Sequence, residues 1–148
     1  MKMTRTFALE EAQQLLPVLD GLLRKAMEAG RRAERLEAEF DQVRDRIMVY
    51  GGLEVDVLRL ARRRAEQDKS VLGLQDALAE IEASGAQVKD LDLGLLDFPC
   101  VVGDHVILLC WRLGEKRIAH WHGTGEGYSA RKAIDERIVG AQARPKPS

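Results

Sequence analysis

The sequence predicts an α+β fold in which a long, coiled-coil-like antiparallel α-helical hairpin packs with a small antiparallel β-sheet, and three observations predict it. Apolar residues recur from Leu9 to Tyr50 at alternating spacings of three and four, the period of a helix laid along another helix. Gly51-Gly52 interrupts that period, and a second helical pattern runs on to Gly85. From Ala86 the period becomes that of extended chain, with short apolar runs separated by turn residues.

A length of 148 residues suits one domain over 1–148, with the hairpin at 6–85, a β-meander at 86–123, a C-terminal loop and short helix at 124–140 and a disordered tail at 141–148. Charge is balanced, 23 Lys and Arg against 24 Asp and Glu, so no global field draws the protein to nucleic acid or to an anionic membrane, and neither is expected as a partner. The N-terminus lacks the apolar core of a signal peptide and no long apolar run occurs, so a cytoplasmic protein is expected. Two cysteines, Cys100 and Cys110, are too few for a disulfide framework and are expected as reduced thiols.

The first helix begins near Thr6 to Ala8, with Thr6 the nearby hydroxyl able to cap it and Glu10 and Glu11 in the first turn. Its seam runs through Leu9, Ala12, Leu16, Leu19, Leu22, Ala26, Ala29, Ala33, Leu36, Phe40, Val43, Ile47 and Tyr50. Pro17 lacks a backbone donor and predicts a kink or a start nearer Leu16. An unbroken helix would be roughly 60 Å long at about 1.5 Å per residue. The second helix spans Leu53 to Ser84, ended by Gly85 as a C′ residue. The short connection dictates antiparallel packing, with Ala26, Ala29, Gly30 and Ala33 expected to face Ala61 and Ala65. One small sheet cannot cover such a hairpin along its length, so a homo-oligomer through the hairpin is expected.

In the second half, a strand near Val88 precedes strands at Leu95–Val102, Val106–Leu113 and Arg117–His122. Gly103-Asp104 fits a two-residue type II′ turn that sets Asp97 opposite Cys110 and Phe98 opposite Leu109. In that register the two cysteines face opposite sides of the sheet, which disfavours a disulfide. The next hairpin, around Gly114-Glu115-Lys116, has a two- or a three-residue loop. The three-residue solution places Phe98, Trp111 and Trp121 on one face and Asp97, Cys110, Arg112, His120 and His122 on the other, the segregation a sheet packed on helices requires, although turn chemistry alone favours the two-residue loop. Beyond the GTGEG loop at 123–127, Ser129 is expected to cap a helix through Ile138.

The stretch from Asp97 to Arg131 holds both cysteines, both tryptophans and all three histidines, and it contains two candidate sites. His120 and His122 project to one side of a strand, with Cys110 opposite His120 and Asp97 opposite Cys110. Thiolate, imidazole and carboxylate suit a divalent transition metal such as zinc, with Glu115 at hand as ligand or general base for metal-assisted hydrolysis. No recognised ligand spacing accompanies them, and the plainer account is a buried thiol with histidines bonded to carboxylates or backbone. The GTGEG loop, with Arg131 and Arg112 nearby, offers backbone and guanidinium donors to a small anion, though it matches neither the dinucleotide fingerprint nor a P-loop. The run Asp90, Asp92, Asp97 lacks the later ligands of a calcium loop, and Arg62 to Arg64 point apart on a helix next to Glu66 and Asp68. Neither Ser129 nor a Cys110–His120 pair makes a persuasive nucleophile, and the sequence assigns no catalytic residue.

The blocks FALEEAQQLLP, VKDLDLGLLDFP, LLCWRLGE and HWHGTGEGYSAR resemble the uncharacterised bacterial family called domain of unknown function 2203, over nearly the whole chain. The resemblance implies a helical hairpin joined to a small sheet in a bacterial cytoplasmic protein, with no established activity. It places the family motif on Asp97, Cys110, Trp111, Gly114, Glu115, Trp121, His122, Gly127 and Arg131. It also implies two departures: a tyrosine is usual at His120 and a capping threonine at Ala8. The resulting expectation is a homo-oligomeric binding or assembly module with a polar site at Asp97, Arg112, Glu115, His122 and Arg131, and the alternative is a metal-dependent hydrolase using Cys110, His120, His122 and Glu115. Glu115 and Arg131 would alternatively pair as a structural clasp.

Overall fold

The computed structural model describes residues 5–51 and 56–141. Helix α1 spans Leu9–Tyr50 and α2 spans Val57–Ala83. Strands β1 (Gln87–Asp90), β2 (Leu95–Val102), β3 (His105–Arg112), β4 (His120–Gly123) and β5 (Lys132–Ala133) form one antiparallel sheet in chain order, and α3 (Glu136–Val139) follows. The α+β class, the long hairpin and the small antiparallel sheet are therefore as the sequence predicts. No helix among the described residues is long and apolar enough to cross a membrane.

Helix α1 departs from expectation at its start. Its N-cap is Ala8, not Thr6, and Glu11 accepts the Ala8 N–H at 3.0 Å, so the acid three residues on satisfies a donor at the helix start. The helix starts at Leu9, well before Leu16, and continues through Pro17. Its buried seam passes through Leu16, Leu19, Leu23 and Ala26, so the step after Leu19 is four residues, and Leu22 is only partly buried. Gly51 closes the helix in the left-handed conformation and donates to the Ile47 carbonyl.

Helix α2 is capped by the Asp56 side chain, which accepts from the Arg59 N–H at 3.1 Å. Residues 53–55, where its start was expected, lie outside the described residues, as do 142–148 of the predicted tail. The predicted C′ glycine is in place: Gly85 has φ +98°, and a Cβ there would meet the Arg5 Cβ at 2.9 Å. The two helices align so that Gly73 faces Ala29 and Gly30 faces Leu74, where a Cβ on either glycine would come within 4.0 Å of the opposing side chain. Farther out, Gln67 donates to Glu37, and Arg64 covers the Phe40 ring at 4.9 Å. The small residues of α1 thus face the inner half of α2, and Ala61 and Ala65 are exposed. The tip fixes this alignment, because residues equally far from it must meet.

The face of the sheet carrying Leu96, Phe98, Cys100, Leu109 and Trp111 packs on Leu16, Leu19 and Leu23 of α1 in one core with Phe7 and Ile81. Phe7 meets Phe98 edge to face, with centroids 5.4 Å apart, and its N–H donates to the Pro99 carbonyl at 2.7 Å. Pro99 is tolerated in β2 because β1 has ended there; its pairing stops at Asp97. At the β2–β3 turn Gly103 has φ +61° and Asp104 does not have positive φ, as a type II′ turn requires.

The β3–β4 register pairs Cys110 with His120 and Leu109 with Trp121, the parity of the segregated solution. The strand expected at Arg117–His122, however, begins only at His120. Glu115 accounts for the difference: its carboxylate accepts the Arg112 N–H at 2.6 Å, and its carbonyl accepts the Trp111 indole N–H at 2.9 Å, drawing the chain away from the ladder. Ile118 is buried, and its N–H goes to the Gln13 side chain at 3.1 Å. The single helix expected from Ser129 to Ile138 is replaced by a 3-10 turn at Tyr128–Ala130, strand β5 and α3, which Asp135 caps. The unpaired edge of β4 supplies hydrogen bonds that a helix there would forgo.

Candidate functional site

Three adjacent strands each bring one fully buried polar side chain to the sheet face opposite the α1 core. Asp97 on β2 stands directly across from Cys110 on β3, and His122 on β4 lies two residues beyond Cys110's partner, on the same side. Asp97 and Cys110 are 1% exposed and His122 is 0% exposed, so any charge here is held away from water and must be paired.

The hydrogen bonds define the state of the ring. Nδ1 of His122 lies 2.8 Å from the Gly123 carbonyl oxygen, which only accepts, so Nδ1 carries a hydrogen. Nε2 lies 3.0 Å from Asp97 Oδ1, and that contact holds one proton between the two groups. Burial, then the charge of Asp97, push the Cys110 thiol up to about 11, against an opposing pull from Arg131. Cys110 is thus a neutral thiol near neutral pH, unsuited to act as a nucleophile. On the opposite face burial pushes Cys100 up to about 11 too, and the two cysteines are not bonded to each other.

Of the four residues expected as metal ligands, three converge. A carboxylate oxygen of Asp97, Sγ of Cys110 and a ring nitrogen of His122 all lie within 4.8 Å of one another. His120 stands apart from them at the rim, its Nδ1 3.7 Å from Glu115 Oε2 and its side chain 38% exposed. It is opposite Cys110 in the ladder, as expected, but no hydrogen bond joins its Nδ1 to any described group.

The guanidiniums expected to bind an anion are engaged within the protein, although Arg131 Nε has no hydrogen-bond partner among the described residues. Arg131 Nη2 donates to Glu115 Oε1 at 2.7 Å and reaches the Cys110 carbonyl at 3.3 Å. Burial opposes the Arg131 charge, and the bond and charge of Glu115 more than restore it, leaving its pKa raised. Tyr128 lies beneath both guanidiniums, 4.8 Å from Arg131 and 5.7 Å from Arg112, and its hydroxyl accepts from Arg112 at 3.2 Å. In the GTGEG loop the anion is internal. Glu126 accepts the Gly123 N–H at 2.8 Å and the Lys132 ammonium at 2.6 Å, and the Lys132 bond is the first cause that lowers its pKa.

Sequence reasoning missed Tyr128, Glu126 and Lys132 as members of this cluster. Glu126 had a usable signal, since a carboxylate three residues after a loop glycine is spaced to accept that glycine's N–H. Tyr128 and Lys132 had none, because their roles follow from how β5 returns to the sheet.

No curated protein and no solved structure matches the chain. One family model does, over residues 5–134, a span that takes in both helices, the whole sheet and every polar residue of the cluster just described. With that much of its length matched, the chain belongs to the family described as an uncharacterized conserved protein, DUF2203.

Proposed function

We propose that this protein is a homo-oligomeric assembly module whose contact surface is the outer end of the helical hairpin. One observation carries the reading. Met48, Val49, Tyr50, Val57 and Leu58 gather at that end and are 68–77% exposed, far from the sheet that covers the inner half of α1. Apolar surface of this kind on both helices, rimmed by charge, marks an interaction site.

A second copy is the partner that the charges favour. Between residues 41 and 60 the sequence has three arginines, Arg44, Arg46 and Arg59, against Asp41, Asp45, Glu54 and Asp56. Mixed signs in near balance allow two identical ends to pair around a twofold axis, and they provide no single-sign field for nucleic acid or an anionic lipid surface. The sheet then serves as a rigid base. Its polar cluster suits that role better than hydrolysis, because Cys110 and His122 are closed to substrate and Glu115 is committed to Arg131 and the Arg112 N–H.

The test is the mass in solution of the wild-type chain and of a Val49→Asp, Leu58→Asp variant, measured by light scattering behind size exclusion. Both positions are exposed, so helicity by circular dichroism should be retained. The reading expects the wild type to exceed the monomer mass and the variant to fall to it; equal masses for the two would refute it.

A further inference from the structure

We propose that Asp97, Cys110 and His122 form a closed site for one transition-metal ion of the zinc class, with one ligand from each of three neighbouring strands. The proposal concerns the sheet alone and stands whether or not the hairpin associates.

Four features of the cluster support it. First, the three donor atoms are mutually within 4.8 Å, near enough for one ion to draw them into a single coordination sphere. Second, the His122 ring is already oriented as a metal ligand's ring is. Nδ1 is anchored on the Gly123 carbonyl, which leaves Nε2, the atom facing Asp97, as the ligand. Third, the donor set is selective: thiolate with imidazole and carboxylate suits zinc or cobalt, whereas magnesium and calcium prefer oxygen alone.

Fourth, the charge is conserved on loading. Without an ion the three groups share two protons, the thiol proton of Cys110 and the one held between Asp97 and His122. A divalent ion replaces both, giving a thiolate, a carboxylate and a neutral imidazole around two positive charges, and the expelled protons leave for solvent. The site's net charge is the same before and after, so the surrounding Glu115–Arg131 pair has no new charge to compensate. Three protein donors leave one position of a tetrahedral ion for a water molecule. Complete burial makes the ion's role a fastening of β2, β3 and β4.

Cobalt is the probe that tests this, because a thiolate bound to it absorbs by charge transfer. Chelator-treated, reduced full-length protein is titrated with cobalt(II), and zinc is then added. The proposal expects a charge-transfer band that saturates at one equivalent per chain, disappears when zinc displaces the cobalt, and accompanies a rise in Tm. Cys110→Ser should abolish the band, and Cys100→Ser, altered on the opposite face, should keep it. His122→Gln should weaken binding by at least tenfold. Absence of a band in the wild type, substoichiometric saturation marking adventitious metal only, or a band that survives Cys110→Ser would each overturn the proposal. The wild-type titration decides the matter even if a variant fails to fold.

Discussion

Asp97 and His122 meet 3.0 Å apart inside the sheet, and each side chain is 1% exposed. They come from β2 and β4, with β3 between them, so the contact ties together strands that share no ladder. Removing one partner strands a buried polar group whose desolvation is no longer offset, a loss of about 3–5 kcal/mol. In metal-free protein His122→Ala and Asp97→Ala should each lower stability by that order in urea unfolding, and the double variant should cost less than their sum. Strict additivity would show that the two do not act as a unit.

Arg131 fastens the C-terminal segment to the sheet through Glu115 and the Cys110 carbonyl. Its side chain is 11% exposed, so the pair is better shielded than the surface ion pairs along the hairpin. Arg131→Ala should cost about 1.5–3 kcal/mol, the range for hydrogen bonds to charged groups, and should lower Tm by several degrees without changing the mass of the protein in solution. A Tm within one degree of wild type would remove the clasp from the account.

The cysteines give stability a pH dependence whose sign is fixed. Both thiols are raised to about 11 in the fold from 9.0, so between those values the unfolded chain releases protons that the folded chain keeps. Stability is therefore full below pH 9, falls as pH rises toward 11, and loses about 2–3 kcal/mol per thiol by linkage. Chemical denaturation of chelator-treated, reduced protein between pH 8 and 11 checks this, and Cys100→Ala should remove about half of the slope. A flat profile would mean that the thiols are not desolvated.

Much of this architecture was legible because it depends on local period. The α1 seam apart from its step after Leu19, the Gly85 terminus, the Gly103 turn and the pairing of Asp97 with Cys110 all follow from spacing within a few residues. The parity of the β3–β4 pairing was legible too, since only one choice puts Trp121 on the face of Phe98 and Trp111. What failed was set by distant groups. Glu115 pulls residues 113–119 off the ladder by bonding to Arg112 and Trp111. The C-terminal segment gives up a helix because the edge of β4 is open to it. The site was half legible: its polar face follows from alternation, whereas the exclusion of His120 from the convergent set and the closure over Cys110 depend on where Glu115 and Arg131 meet.

Two glycines should respond in opposite directions. Gly85 has φ +98° and no room for a Cβ, so Gly85→Ala should destabilise by about 1–3 kcal/mol. Gly21 lies inside α1 with nothing within 4 Å of a built Cβ, so Gly21→Ala should stabilise by about 0.5–1 kcal/mol. Thermal unfolding of the two variants side by side checks both signs.

The measurement that bears most directly on the central claim is sedimentation equilibrium of the untagged wild-type chain over a wide range of concentrations. The account predicts a reversible shift from the 16.6 kDa chain to a multiple of that mass, abolished by charges at Val49 and Leu58. A single species of 16.6 kDa at every concentration would contradict it.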